Sequence, residues 1–217
     1  PDTRHSAKLV GFDELVDLAI IKISSDTEFQ VMSLATSSDL MLGETVIAIG
    51  NAYGYEDTIT RGIISALHRR VEVHTNQYYE NLIQTDASIN PGNSGGPLLT
   101  ENAKVVGVNY SGDESTRQEW AISVKEVLPI LDELKAGWDV HSIGINGEAF
   151  YDYSEDRYGI WVVSVESGTP ADLVGLQPGD LITRVENMIV GDDETMGSYC
   201  DILRSHAIGD VLKIRVY

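Results

Sequence analysis

Short apolar runs, punctuated by glycine, proline and asparagine, dominate this chain, and few stretches carry a helical period. Ala7-Lys8-Leu9-Val10 and Leu18–Ile23 read as strands, the second almost continuously apolar. Runs at 45–49, 58–67 and 71–74 follow, with Gly50-Asn51-Ala52-Tyr53-Gly54 as a loop between the first two. Further strands are expected at 97–100, 104–110 and 119–123. Ser123-Val124-Lys125-Glu126 has the form of a capping box. After it Val127, Leu128, Leu131 and Leu134 recur at helical spacing, and Gly137 stands where a helix-ending glycine belongs. Pro129 is tolerated in a first turn, which predicts a regular helix starting nearer Leu128 than Val124. From about His141 the pattern restarts: a strand at 159–165, a short helix from Pro170 to near Gly175, a turn at 177–180 and a strand at 181–185. A helix at 194–205 and a closing strand at 211–216 end the chain.

Length and composition narrow the possibilities. At 217 residues and 42% hydrophobic content there is material for about two cored domains. Fifteen basic against 34 acidic residues give a net charge of −19, which opposes binding to nucleic acid or anionic membranes through phosphate contacts. No apolar stretch is long enough to span a bilayer, and no signal peptide is visible. The single cysteine, Cys200, excludes an intrachain disulfide and suits a small buried hydrophobe on a helix. His68 and His74 flank Arg69, Arg70 and Glu72; a cation among arginines is poor ligand chemistry, so no metal and no cofactor is expected.

The chemistry concentrates at residues 84–97, Gln84-Thr85-Asp86-Ala87-Ser88-Ile89-Asn90-Pro91-Gly92-Asn93-Ser94-Gly95-Gly96-Pro97. A serine hydroxyl becomes a useful nucleophile only with a base to take its proton and donors to receive the charge on the substrate carbonyl. Glycines at 92, 95 and 96 allow positive φ and close backbone approach, so the amides of Gly92 and Ser94 can converge beside Ser94 Oγ as an oxyanion hole spanning Gly92, Asn93 and Ser94. The pentapeptide Gly92-Asn93-Ser94-Gly95-Gly96 also satisfies the elbow pattern of α/β-hydrolases, and by itself it is equally compatible with a plain glycine-rich hairpin. An elbow needs a helix directly after the serine. Pro97-Leu98-Leu99, a turn at 101–103 and Lys104-Val105-Val106-Gly107-Val108 supply strand, turn, strand instead.

These flanks resemble the HtrA (Deg) family of chymotrypsin-like serine proteases over essentially the whole chain. Residues 84–98 are similar to its serine segment, 44–67 to an upstream strand-loop-strand block, and Val16-Asp17-Leu18-Ala19-Ile20-Ile21-Lys22-Ile23 to the stretch holding its triad aspartate. The resemblance implies a mostly β fold: a chymotrypsin-like double β-barrel protease domain at 1–137, its first barrel incomplete, then an α+β PDZ domain at 138–217. It assigns Ser94 as nucleophile and Asp17 as the aspartate. It also places Ile89 in the specificity pocket, with Tyr110 to Asp113 and Trp120-Ala121-Ile122 as further walls. An apolar wall favours small or branched aliphatic side chains; ordinary core packing is the other reading of Ile89.

The family order is His, Asp, Ser, and the only histidine before Asp17 is His5, in a context unlike the family's. The resemblance therefore implies either a histidine segment ahead of Pro1 or a relative without the base. In both cases the 217 residues alone are expected to be inactive, since losing a triad base costs on the order of 10⁴–10⁶ in turnover.

Residues 167–190 resemble the PDZ domain attached to these proteases, a module that captures peptide C-termini as an added strand. Ser142-Ile143-Gly144-Ile145 is similar to its carboxylate loop, which would make Ile143, Gly144 and Ile145 peptide-binding residues, with Tyr199 and Leu203 on the facing helix. Tyr158-Gly159-Ile160 has the same form, and for Tyr199 and Leu203 core packing is equally compatible. Two functions remain: a serine endopeptidase for misfolded or extended polypeptides, or a non-catalytic, chaperone-like peptide binder. An α/β-hydrolase esterase is a third, disfavoured by the strand after Ser94. The resemblance further implies homotrimers or larger assemblies and an extracytoplasmic (periplasmic or secreted) setting.

Overall fold

The structure is a computed structural model that describes residues 4–26, 28–35, 40–55, 57–74, 77–113 and 118–217. By its internal contacts the chain forms two compact units: Pro1–Gly11, Leu18–Val71 and Tyr79–Gly137 make the first; Phe12–Asp17, Glu72–Tyr78 and Trp138–Tyr217 make the second.

The first nine strands are β1 (Ala7–Asp13), β2 (Leu18–Ile23), β3 (Ser33–Leu34), β4 (Thr45–Gly50), β5 (Thr58–His74), β6 (Gln77–Thr85), β7 (Pro97–Thr100), β8 (Lys104–Asp113) and β9 (Gln118–Ser123). β1 pairs with β2. Six others run in the order β8-β7-β4-β5-β6-β9, and β9 pairs again with β8, so the ring closes as a barrel with β3 attached to β8. Closure leaves no edge strand within the ring to pair with other chains. Alternation along β4 places Val46 and Ala48 inside, where they meet Ile64, Ile83, Leu98 and Val106 in a dry core. Each fully buried aliphatic side chain contributes about 1.5–3 kcal/mol relative to exposure.

β5 corrects the sequence reading, which broke the strand at 68–70. It runs unbroken for 17 residues because His68 absorbs the irregularity at φ 55°. Opposite it Asn81 of β6 sits at φ 57°, and the two side chains meet at 3.4 Å. β6 itself went unread, since its polar start, Gln77-Tyr78-Tyr79-Glu80-Asn81, hides the alternation.

α1 (Val124–Lys135) follows directly, its N-cap Ser123 accepting from the Lys125 amide. It begins at Val124, earlier than predicted, and carries Pro129 inside. The neighbouring positions Lys125, Leu128 and Pro129 are exposed, so the carbonyl that Pro129 cannot serve lies on a solvated face. Val124, Ile130 and Leu134 form the buried stripe. Gly137, at φ 88°, donates to the Leu134 carbonyl and ends the helix as expected of a C′ glycine.

The second unit contains β10 (Asp139–Val140), β11 (Ile145–Asp152), β12 (Arg157–Val165), α2 (Pro170–Leu173), β13 (Leu181–Val185), β14 (Met188–Ile189), α3 (Gly197–Arg204) and β15 (Ile214–Val216). Its sheet runs β11-β12-β13-β14, with β15 on β13. Two elements are shorter than the apolar pattern predicts. α3 starts at Gly197 because Asp193 holds Thr195 through its amide and hydroxyl, and Glu194 takes φ 61°. β15 starts at Ile214, since the Ala207 amide closes on Asp210 Oδ2 and Val211 is left exposed. α3 packs Tyr199, Ile202 and Leu203 against Ile160, Val162 and Ile182.

Candidate active site

The turn between β6 and β7 carries the loop around Ser94, and the segment after β4 holds it. The Asn51 amide donates to the Gly92 carbonyl at 3.1 Å, and the Tyr53 amide to the Pro91 carbonyl at 2.7 Å. Tyr53 hydroxyl reaches Asn90 Oδ1 at 3.4 Å. The 91–92 peptide is trans, so with its carbonyl turned to Tyr53 its N–H, that of Gly92, points the opposite way. Among the described residues neither the Gly92 nor the Ser94 amide has a protein acceptor. The Asn93 amide between them is committed to the Asn90 carbonyl at 2.9 Å. Two donors beside one hydroxyl are what an oxyanion hole requires.

Glycine is obligatory here for two reasons at once. Gly92 has φ 103°, and a Cβ on it would lie 2.1 Å from the Asn51 carbonyl oxygen. Gly96 approaches the Ile49 carbonyl as closely, at 2.2 Å from an added Cβ. Asn93 is fully buried, and among the described residues neither polar atom of its side chain has a protein partner.

Ser94 is exposed, and its Oγ donates to the Tyr110 carbonyl at 2.6 Å. The Tyr110 ring lies 4.9 Å from that of Tyr79. Ile89 is 3% exposed and packs in the barrel core. Trp120, Ala121 and Ile122 are likewise buried. Thr85, Asp86 and Ser88 tie the approach strand to β5: Thr85 Oγ1 donates to the Ile63 carbonyl, Asp86 Oδ1 accepts from the Ile63 amide, and the Ser88 carbonyl accepts from Thr60 Oγ1.

Asn109 is a residue that sequence reading missed. It is 1% exposed; its backbone accepts from the Gly95 amide and donates to the Gly96 carbonyl, both at 2.8 Å. Its side-chain amide donates to the carbonyls of Pro97 and Ile49 at 3.2 and 3.4 Å. An asparagine ending the apolar run Val105-Val106-Gly107-Val108 was the available signal, because a polar group is buried there only where backbone needs it.

Asp17 belongs to the second unit, where it is exposed in the turn after β1 at φ 54°. Of the histidines with described side chains, His5 lies edge-on to Phe29, His68 meets Asn81, His141 meets Phe12 and Glu14, and His206 contacts the Ile202 carbonyl. None is hydrogen-bonded to Ser94 or Asp17. The side chain of His74 lies outside the described residues.

In the second unit Gly144 has φ 88° against Thr169, and its amide donates to Ser142 Oγ at 3.0 Å. Its carbonyl accepts from Glu166, and that of Ile143 from Ala171. Ile145, Tyr199 and Leu203 are buried in the core, and burial raises the pKa of the Tyr199 phenol far above its ordinary value. Two contacts here were also unread: Asp13 pairs with Arg204, and Glu14 accepts from the Ser142 amide.

Known proteins share the sequence and fold of this chain. Residues 1–108 match a trypsin-like peptidase domain and residues 161–216 a PDZ domain. The serine protease Do-like HtrA of Bacillus subtilis (strain 168) is 37% identical over 99% of this chain and 52% of its own length. A probable periplasmic serine endoprotease DegP-like of Hahella chejuensis (strain KCTC 2396) is 38% identical over 86% of the chain and 41% of its length. The chain thus spans about half the length of these relatives. The solved structure of the HtrA-type protease AlgW with a decapeptide superposes with a TM-score of 0.66 at 31% identity, covering 97% of this chain and 66% of that one. An AlgW variant with a tripeptide gives 0.68 at 31% identity, covering 97% and 72%. Sequence similarity from end to end, a shared fold and a serine set among unpartnered amides converge: this chain belongs to the HtrA family of trypsin-like serine proteases that carry a PDZ domain.

Proposed function

We propose that the chain forms the catalytic and peptide-binding part of an HtrA-type serine endopeptidase, with residues 1–137 as its protease domain and 138–217 as its PDZ domain. Ser94 is the nucleophile, the amides of Gly92 and Ser94 receive the oxyanion, and Asp17 orients an imidazole contributed from a segment ahead of Pro1. In the resting geometry Ser94 Oγ donates to the Tyr110 carbonyl. When the imidazole takes that proton, Oγ attacks the scissile carbonyl and the two amides receive the charge that develops. The imidazolium then protonates the leaving amine, and water releases the acyl group by the same route in reverse.

The substrate class is extended or misfolded polypeptide, cut after small or branched aliphatic residues if Ile89 and Tyr110 border the pocket. Ile143, Gly144 and Ile145 capture a peptide carboxylate, with Tyr199 and Leu203 behind them. Relatives named as periplasmic support an extracytoplasmic setting, and the family resemblance a trimeric or larger assembly.

The observation that carries this reading is the orientation of the 91–92 peptide, held by Tyr53 so that the Gly92 amide, like that of Ser94, has no acceptor among the described residues. The test is a serine-directed fluorophosphonate on the complete gene product, followed by peptide mapping. Labelling at Ser94, lost in S94A, is expected together with cleavage of an unfolded protein; a complete, folded product that stays unlabelled overturns the proposal.

A further inference from the structure

β11 stands at the edge of its sheet, and among the described residues β12 is its only strand neighbour. Its eight residues, Ile145–Asp152, span about 25 Å. The bulge in the β11–β12 ladder falls on β12, at Val163, so β11 itself runs without interruption. Ile145 and Ala149 pack on the core, and alternation turns Glu148, Phe150 and Asp152 to the opposite face. There Phe150 is 40% and Trp161 37% exposed, with their ring centroids 5.6 Å apart. Because β13 pairs with β12 only at Ile160 and Trp161, residues 151–158 project past the sheet as a two-stranded hairpin. The hairpin carries four carboxylates, Glu148, Asp152, Glu155 and Asp156, against one cation, Arg157. The Arg157 guanidinium lies 4.0 Å over the Tyr217 ring and 3.5 Å from Glu155. Hydrogen bonds from the Ser154 hydroxyl and amide hold the Asp152 carboxyl below its ordinary range, so it is charged at neutral pH.

We propose that this edge reads a bound peptide well upstream of its C-terminus, selecting a basic residue third and seventh, and an aromatic residue fifth, before the terminal one. The inference rests on the reading of residues 143–145 as a carboxylate loop. A carboxylate held there starts the peptide opposite Ile145, and an antiparallel strand added to β11 advances one residue for each residue of β11. The third, fifth and seventh residues before the terminal one then lie opposite Glu148, Phe150 and Asp152, on the same face. A ring in the middle place extends the Phe150–Trp161 pair, and cations on either side meet the two carboxylates. An acidic peptide sets like charges directly opposite each other, which is unfavourable. Carboxylates on an exposed edge also discourage strand pairing in general. That role makes no distinction between peptide positions, so position is what the experiment varies.

The complete gene product, carrying S94A so that peptides survive, is titrated by fluorescence anisotropy with amino-terminally labelled decapeptides. The first has the order Ser-Ala-Lys-Ala-Phe-Ala-Lys-Ala-Ala-Val. The second, Ser-Lys-Ala-Phe-Ala-Lys-Ala-Ala-Ala-Val, has the same composition with the three selected side chains moved one place upstream. The third is the first with glutamate for both lysines and serine for phenylalanine. The first should bind about tenfold tighter than the second, and the third should bind weakest. D152K should weaken the first about fivefold, and a glutamate in the seventh place should restore it. F150A should remove the preference for phenylalanine over serine in the fifth place. Equal affinity for the first two peptides overturns the proposal, as does a D152K variant that circular dichroism shows folded and that leaves the order unchanged. Binding that amidation of the C-terminus does not weaken, or no binding of any of the three, sinks the carboxylate-loop reading instead, so the two failures are told apart.

Discussion

Two glycine-shaped loops present backbone amides in this molecule, and they stand in opposite states. In the barrel, the loop around Ser94 has its carbonyls tied down by Asn51 and Tyr53, and among the described residues the amides of Gly92 and Ser94 have no acceptor. In the PDZ unit, the loop around Gly144 is occupied by its own neighbours: Ser142 Oγ sits on the Gly144 amide and Glu14 on the Ser142 amide. On the proposed reading the first loop serves an anion that exists only briefly, so it must not reorganise during the reaction. On the same reading the second serves a stable carboxylate, and a ligand there must exchange with bonds already made. Preorganisation and competition are thus built from the same residue types.

Removing the nucleophile should have the largest effect. S94A in the complete gene product is expected to abolish fluorophosphonate labelling and lower peptide cleavage by at least about 10⁴-fold, with thermal stability almost unchanged, because Ser94 is exposed; residual cleavage near the wild-type rate would show that the barrel loop is not the reactive one. Next is G92A. A Cβ at φ 103° and 2.1 Å from the Asn51 carbonyl forces the 91–92 peptide to move, so kcat should fall about 10²–10³-fold, together with the melting temperature, while peptide binding by the PDZ unit holds. Equal losses in both units would break the contrast between them.

S142A probes the other loop. Freeing the Gly144 amide removes a competitor worth about 1 kcal/mol, so a peptide with a free C-terminal carboxylate should bind about fivefold tighter by fluorescence anisotropy, and its amidated form should not gain. Weaker binding of the free acid would mean that Ser142 supports the carboxylate instead of blocking it.

The smallest effect concerns Tyr151, half-buried near the tip of the β11–β12 hairpin. Its hydroxyl donates to Asp156 Oδ1, and this bond to a carboxylate pushes the phenol from its ordinary 10 up to about 12. A group raised on folding lends its stability fully below the unfolded value and loses it as pH climbs from about 10 to about 12. Absorbance at 295 nm, as a difference against Y151F, should show ionisation near the upper value, and D156N should return it toward 10. A tyrosine unmoved by D156N would remove that bond from the account.

Much of the architecture was readable because its causes are local. Gly137 ends α1 as a C′ residue, Ser123 caps it, and the glycines around Ser94 announce a loop with unusual φ. Where the reading failed, the deciding contact was distant. β6 is polar along its first half and becomes a strand through its neighbours β5 and β9. His68, which suggested a break, is carried by a matching irregularity at Asn81 on the next strand. Asn109 announced itself only as a polar residue in an apolar run; that it serves the nucleophile loop requires Gly95 and Gly96 to be in place.

Order along the chain was enough to name a second module and a family, and to nominate a serine and its loop for the chemistry, because turn chemistry and strand alternation act over a few residues. It could not announce that the Pro91 carbonyl turns to Tyr53, nor that Asp13 meets an arginine 191 residues away. Those arrangements are settled by burial: a carboxylate or peptide group withdrawn from water must take whichever partner folding delivers, and no pattern in the intervening residues records which one that is.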